Sequence, residues 1–446
     1  MEQENKQQNL QEIISKDPML IQYHKFKNEF IKNEILLGVK FNKNITNFFT
    51  KILKSHKIPY KNFNPIKHSK NSNENIYITK YQINEKETLI KLIENSISDE
   101  KKKNENITYE ITEENITLTT KNFTYEQILK NFFEYENETN IKNIPSGFEI
   151  IGKIAHMNLK EEYLKYKYVI GELILEKNPS IKTVINKIGK IENIYRTYNM
   201  EILSGEENYF VEHKEDSIIF KFDIRKTYWC SRLQNERSRI LNLISKNNIL
   251  LDAFCGVGPL SLRACKKGIK VYANDLNPDC YNYLNDNIKY NKIKKDLIKT
   301  YNMDAREFIK IFIEKSKKII NDDEDNLDNN FPYDIHIDHI YMNLPKDGIE
   351  FLNVFIGLFI GCKENIYNKN NLPIVHVYGF AKICDNPIEE LKERISKAFH
   401  LDFNVFKEKC ENDILNIENV RDISNRKVVY CVDMKIPYIV AYGLNK

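Results

Sequence analysis

From Ile249 onward, short apolar runs alternate with stretches whose apolar residues recur at helical spacing. The runs near 249–253, 270–274, 298–301, 338–342 and 374–378 predict five strands. Asn277-Pro278 opens a predicted helix with Cys280, Tyr281, Leu284 and Ile288 along one side. Strand–helix alternation of this kind predicts a parallel, doubly wound sheet. Beyond a helix near Ile388–Phe399, strands around 416–423 and 427–436 predict an antiparallel edge pair.

Upstream the pattern changes. Phe148–Ile151 predicts a strand, 161–175 a helical region, Lys182–Ile185 a strand, and 200–222 a meander ending in Ile218–Phe222. A helix from about Leu233 to Ile244 follows. Before Pro145-Ser146-Gly147, a linker signal, the chain mixes elements, among them a strand at Ile116–Thr119 and a helix over Phe123–Phe133. Lys67–Asn75 and Asp99–Asn106 predict solvated loops, and the acidic, Asn-rich Asn321–Asn330 a surface loop. The organisation expected is an N-terminal domain over 1–140, an α+β middle domain over 145–245 and an α/β domain over 246–446.

Composition adjusts this picture little. A chain of 446 residues, 41% hydrophobic and 11% aromatic, exceeds one core and can build two or three. The formal charge of +4 permits a local nucleic-acid patch without arguing for one. Eight scattered cysteines, with no zinc-spaced cluster, predict reduced and mostly buried thiols and no metal. Met1–Lys6 lacks a secretory signal's apolar core, and acids without arginine there are unlike a transit peptide. The longest apolar run, Val354–Cys362, is too short to span a bilayer. A soluble intracellular protein is expected.

The chemistry concentrates at Leu250-Leu251-Asp252-Ala253-Phe254-Cys255-Gly256-Val257-Gly258-Pro259, where a strand runs into a glycine turn ahead of a helix. Gly256 and Gly258 let a ligand approach the main chain, and Pro259 suits a first helical turn. Asp275, in Ala273-Asn274-Asp275-Leu276-Asn277-Pro278, ends the next strand and can accept from two ribose hydroxyls. A dinucleotide site wants a third small residue, ideally glycine, where Ser261 stands, and Asp252 would repel a pyrophosphate. Asp252 suits a cation such as the amino group of S-adenosylmethionine. The competing reading is an ordinary strand–turn–helix.

Two further strand ends carry candidate groups. Asp304, in Tyr301-Asn302-Met303-Asp304-Ala305-Arg306, can accept from an adenine amino group with Ala305 adding a backbone N–H; it equally suits a helix N-cap. Asn343, in Asn343-Leu344-Pro345, sits where ligands gather at the carboxyl ends of parallel strands, and its amide could hold a nitrogen-bearing target. A plain turn is the alternative there. Phe254, Gly256, Gly258, Leu276 and Pro345 complete the expected cofactor lining. The element order is typical of Rossmann-like class I S-adenosylmethionine-dependent methyltransferases.

The motifs together resemble the archaeal and eukaryotic tRNA (guanine-N1)-methyltransferases. The resemblance rests on Ile154–Leu159, Lys182–Lys187, Tyr228-Trp229-Cys230-Ser231-Arg232-Leu233-Gln234, Asp252–Pro259, Ala273–Pro278, Tyr301–Asp304, Met342–Pro345 and Val420-Arg421-Asp422. It covers about 145–446, and only loosely what precedes. It implies S-adenosylmethionine as cofactor, tRNA as partner, a monomer, and N1 of guanosine 37 as target. It further implies that Glu236 is the general base, that Arg196 supports the guanine O6, that Asn343 positions the base and that Arg237 meets the cofactor. By itself Glu236 reads as a solvated helix residue paired with a base one turn away. Cys255 replaces the usual alanine and Leu260 the usual phenylalanine, both keeping an apolar wall. Aminocarboxypropyl transfer to tRNA by the sister branch, or an inactive tRNA-binding paralogue, are the other readings. A cytoplasmic location is expected, and the resemblance also allows nuclear and mitochondrial pools.

Overall fold

The computed structural model describes residues 12–69, 72–100, 107–141, 143–189, 194–195, 197–317, 332, 334–382, 386–424 and 427–443. Arg196, the expected loop at Asn321–Asn330 and the N-terminal Met1–Lys6 lie outside the described residues. The chain divides into two compact units. One comprises Met1–Phe148, Met157–Asn186 and Ile202–Glu207; the other comprises Glu149–His156, Lys187–Glu201 and Asn208–Lys446. Segments of 145–245, expected as a middle domain, fall in both.

The first unit holds an antiparallel sheet of β1 (Lys32–Asn42), β2 (Ile66–His68), β3 (Glu74–Ile78) and β4 (Tyr109–Leu118), in the order β2-β3-β1-β4. Leu37, Val39 and Phe41 of β1 face Phe49 and Leu53 of helix Thr46–Leu53 and Leu89 and Ile93 of helix Lys86–Glu100. The expected loop at Lys67–Asn75 is shorter than its polarity suggested. His68 pairs with Asn75 across a hairpin, because alternating Asn75-Ile76-Tyr77-Ile78 offers β1 a strand with one buried face. Likewise Asp99 and Glu100 finish the helix Lys86–Glu100, and 101–106 lie outside the described residues. The helix expected over Phe123–Phe133 runs Tyr125–Tyr135, started by a capping box between Thr124 and Gln127.

Next come β5 (Glu149–Ile151), β6 (Ile154–Met157), β7 (Thr183–Ile188), β8 (Asn199–Gly205), β9 (Phe210–Glu215) and β10 (Ile218–Asp223). β5 with β6, and β9 with β10, form antiparallel hairpins in the second unit.

That unit is built on a seven-stranded sheet of β11 (Ile249–Asp252), β12 (Lys270–Asn274), β13 (Ile298–Tyr301), β14 (His339–Met342), β15 (Ile374–Lys382), β16 (Ile414–Ser424) and β17 (Lys427–Lys435). The order is β13-β12-β11-β14-β15-β17-β16; the first five run parallel, β17 runs against them and β16 pairs antiparallel with β17. The five parallel strands follow the apolar pattern closely, since such strands are buried on both faces, and the edge pair stands close to where it was expected, at Ile414–Ser424 and Lys427–Lys435. The chain proceeds from β11 toward β13, then returns to the other side of β11 for β14. Ligand crevices open at such a reversal, beyond the carboxyl ends of the strands. Val354–Cys362 is core rather than a span, with Phe355 and Phe359 fully buried. Among the described residues no helix is long and apolar enough to cross a membrane.

Candidate active site

β11 delivers Asp252 to the reversal point, and the chain then turns through the glycines. Gly256 (φ +55°) and Gly258 (φ +90°) both occupy the left-handed region. A Cβ at Gly258 would lie 2.5 Å from Leu284 Cδ1, whereas one at Gly256 would meet nothing within 4 Å. The backbone at Gly256 therefore faces open space and Gly258 seats the turn on helix Pro278–Tyr290. Gly258→Ala is expected to lower stability by about 1–3 kcal/mol through strain and overpacking, measured by denaturant unfolding. The helix behind begins at Ser261, two residues beyond Pro259.

Asp252 is 1% exposed. Its Oδ2 accepts from the Ser261 hydroxyl at 2.6 Å, while Oδ1 is buried without a hydrogen-bond partner. Burial pushes the carboxyl up to about 7, partly offset by Ser261 and the Phe254 amide and reinforced by the nearby Asp275. A buried acceptor lacking a donor is unfavourable, and a cationic amine would satisfy it. The residues present thus fit the ammonium-bearing end of S-adenosylmethionine.

The neighbouring strand ends complete this edge. Asp275 accepts from the Gly256 amide at 2.8 Å and the Asn277 amide at 2.9 Å; burial raises its pKa and these bonds oppose the rise. Asn274 ties three strand ends, donating to the Ala253 and Met303 carbonyls and accepting from the Met303 amide. Asn302 donates to the carbonyls of Asp275 and Leu276, leaving the Leu276 side chain exposed. Asp304 caps helix Ala305–Glu314 through the amides of Arg306 and Glu307, as its N-cap reading required, with Ala305 buried in the first turn. Phe254 packs edge-on against Phe351, whose face carries the Arg306 guanidinium. Beyond β14, Asn343 donates to the Tyr341 hydroxyl at 3.0 Å and the Pro345 carbonyl accepts from Phe380. Cys255 is buried, and burial together with Asp252 and Asp275 holds its thiol well above the usual range, unsuited to a nucleophile.

Glu236 lies on helix Gln234–Leu243 and is 8% exposed. It pairs with Arg239 one turn away, Nε to Oε2 and Nη2 to Oε1, both at 2.8 Å. It is nevertheless not the solvated helix residue that its sequence alone suggests: Tyr378 of β15 donates to Oε1 at 2.5 Å. The Tyr378 ring meets Tyr341 edge-on at 5.4 Å, and Tyr341 holds Asn343. A continuous path therefore links Glu236 with Asn343. Arg237 turns the other way. Its guanidinium engages buried Glu215 and the Cys230 carbonyl, and Glu215 also binds Arg263. This buried cluster anchors the helix that carries Glu236.

No motif in the sequence marks Tyr378, Tyr341, Arg239, Asp433, His376 or the Ser261 hydroxyl. The available signal was polarity inside apolar strands: His376 and Asp433 stand directly opposite each other on β15 and β17 among buried aliphatics.

The TRM5/TYW2 methyltransferase domain matches residues 211–323, and the TYW2 N-terminal domain matches 125–208. A tRNA (guanine(37)-N(1))-methyltransferase of Dictyostelium discoideum is 36% identical, over 93% of this chain and 82% of that protein. Its counterpart in Candida albicans strain SC5314 is 38% identical, over 72% and 76%. Among solved structures, aTrm5 in its complex with tRNALeu aligns with TM-score 0.59 and 22% identity over 90% of this chain and 99% of that one, a likeness of fold. With relatives of this identity over most of its length, the chain belongs to the tRNA (guanine(37)-N(1))-methyltransferase family and is an S-adenosylmethionine-dependent enzyme of the class I fold.

Proposed function

We propose that Glu236 is the base that removes the N1 proton of guanosine 37 as this enzyme methylates that nitrogen in tRNA. The observation that carries the reading is the path from buried Glu236 through Tyr378 and Tyr341 to Asn343 at the sheet's carboxyl edge. S-adenosylmethionine supplies the methyl group as a sulfonium electrophile. Guanine N1 carries a proton and is a poor nucleophile until that proton leaves. Glu236 takes it, which would leave the N1 electron pair free for the methyl group that S-adenosylmethionine would supply when bound. Asn343 orients the flipped base through its amide, and Arg196 would steady the negative charge that develops on O6.

The cofactor would be held by Asp252 at its ammonium group and by Asp275 at the ribose, each Asp275 oxygen retaining a second lone pair beside its backbone bond. Asp304 and Ala305 would meet the adenine, with Phe254, Gly256, Gly258, Leu276 and Pro345 around it. Arg237 would act through its pair with Glu215, fixing the helix beneath Glu236. The described residues proposed here belong to one compact unit of a single chain, which favours a monomer as the working form. The test incubates the protein with methyl-labelled S-adenosylmethionine and tRNA bearing G or A at position 37. Label is expected only on the G37 transcript; label on both, or on neither, rejects the reading.

A further inference from the structure

We infer that Asp433 and His376 are positioning residues that divide the Arg239 guanidinium between two carboxylates and so keep Glu236 ready to accept a proton. The inference rests on Glu236 being the base. Arg239 binds Glu236 through Nε and Nη2, and its Nη1 donates to Asp433 Oδ2 at 2.6 Å. One cation thus serves two acids. Asp433 is 2% exposed, and its Oδ1 takes His376 Nδ1 at 2.6 Å. The far His376 nitrogen lies 3.0 Å from His339 Nδ1, the two rings stacked. Asn416 and the Cys431 thiol add donors to Asp433.

The groups facing Glu236 come from four elements. Its own helix brings Arg239; β14 brings Tyr341 and, farther out, His339; β15 brings Tyr378 and His376; β17 brings Cys431 and Asp433. Burial holds the hydroxyls of Tyr341 and Tyr378 and the Cys431 thiol well above their usual ranges, so all three stay protonated. Burial, then the neighbouring His376, pushes His339 down to about 4, so it is neutral. Asp433 is a fixed anion: burial would raise it, but the bonds from His376 and Arg239 outweigh that and hold it well below the carboxylate range.

A carboxylate with a guanidinium to itself is a weak base, because protonation forfeits the whole ion pair. Here a proton reaching Glu236 leaves Arg239 still compensated by Asp433. His376 sets the balance, since its bond limits how strongly Asp433 draws on Arg239.

The experiment follows single-turnover methyl transfer to G37 tRNA against pH, in wild type and variants. Asp433→Asn gives Arg239 to Glu236 alone; the acid limb is expected to move down by about one pH unit and the plateau rate to fall about tenfold, with KM for tRNA unchanged. His376→Leu leaves Asp433 leaning harder on Arg239, and the limb moves upward. His376→Gln, which still offers a donor, restores the wild-type profile. Opposite shifts support the inference. Limbs that stay put, or move together, overturn it. Glu236→Gln in the same assay separates the two claims: an unchanged rate there rejects Glu236 as base, whereas its collapse beside unshifted Asp433 and His376 variants rejects only the relay.

Discussion

Glu236→Gln lowers the single-turnover rate of methyl transfer by about 10²–10⁴-fold, the usual worth of a positioned proton acceptor. The substitution keeps the shape of the side chain and an oxygen for the Tyr378 hydroxyl, but removes the charge and one acceptor that Arg239 uses. Because the hydrogen bonds of Glu236 go to Arg239 and Tyr378, affinity for S-adenosylmethionine should stay close to wild type. Rapid quench with labelled cofactor at saturation measures the first quantity and calorimetry the second. Glu236→Asp, which retains the carboxylate one methylene short, should keep part of the rate. A Gln variant as fast as wild type removes Glu236 from the chemistry.

Asp252→Asn weakens binding of S-adenosylmethionine by about 10²-fold, the scale for breaking a buried charge pair. The pH dependence gives a sharper test. Without ligand the carboxyl titrates near 7, displaced upward chiefly by burial. A cation beside Oδ1 selects the ionised form, so wild-type affinity should fall about tenfold from pH 8 to pH 6, with a proton released on binding at the lower pH. Asp252→Asn abolishes this dependence. The stability sign is opposite. A carboxyl raised in the folded state binds more protons there than in the unfolded chain, so its contribution is present below its ordinary pKa and lost as pH rises through 7. At pH 8 the ligand-free Asn variant should melt above wild type. Unchanged affinity and a flat pH profile would show that Oδ1 faces no cation.

Local signals made much of this legible in the sequence. The glycine turn, Asp252, Asp275 and Asp304 each sit at the end of an apolar run, and buried parallel strands announce themselves by such runs. The double role left open for Asp304 resolves in part: its carboxylate does cap the helix. What stayed hidden depends on partners far along the chain. Glu236 meets Tyr378 at a separation of 142 residues, and Arg239 meets Asp433 at 194. No spacing rule on the helix Gln234–Leu243 reveals that burial. Ser261 was read only as a missing glycine, although its hydroxyl is what holds Asp252. The hairpin tip near Lys67–Asn75 was lost because polar residues mask the pairing at its ends. Between Phe148 and Asn208 the chain passes repeatedly from one unit to the other, and composition does not mark the crossings.

One measurement bears most directly on the central claim, given that the N-terminal pattern of the sister branch also matches residues 125–208. Parallel reactions use S-adenosylmethionine labelled either in the methyl carbon or in the aminocarboxypropyl chain, followed by digestion of the tRNA to nucleosides. Methyl label alone is expected, recovered as 1-methylguanosine from position 37. Aminocarboxypropyl label in the tRNA, or methyl label on any other nucleoside, would contradict it.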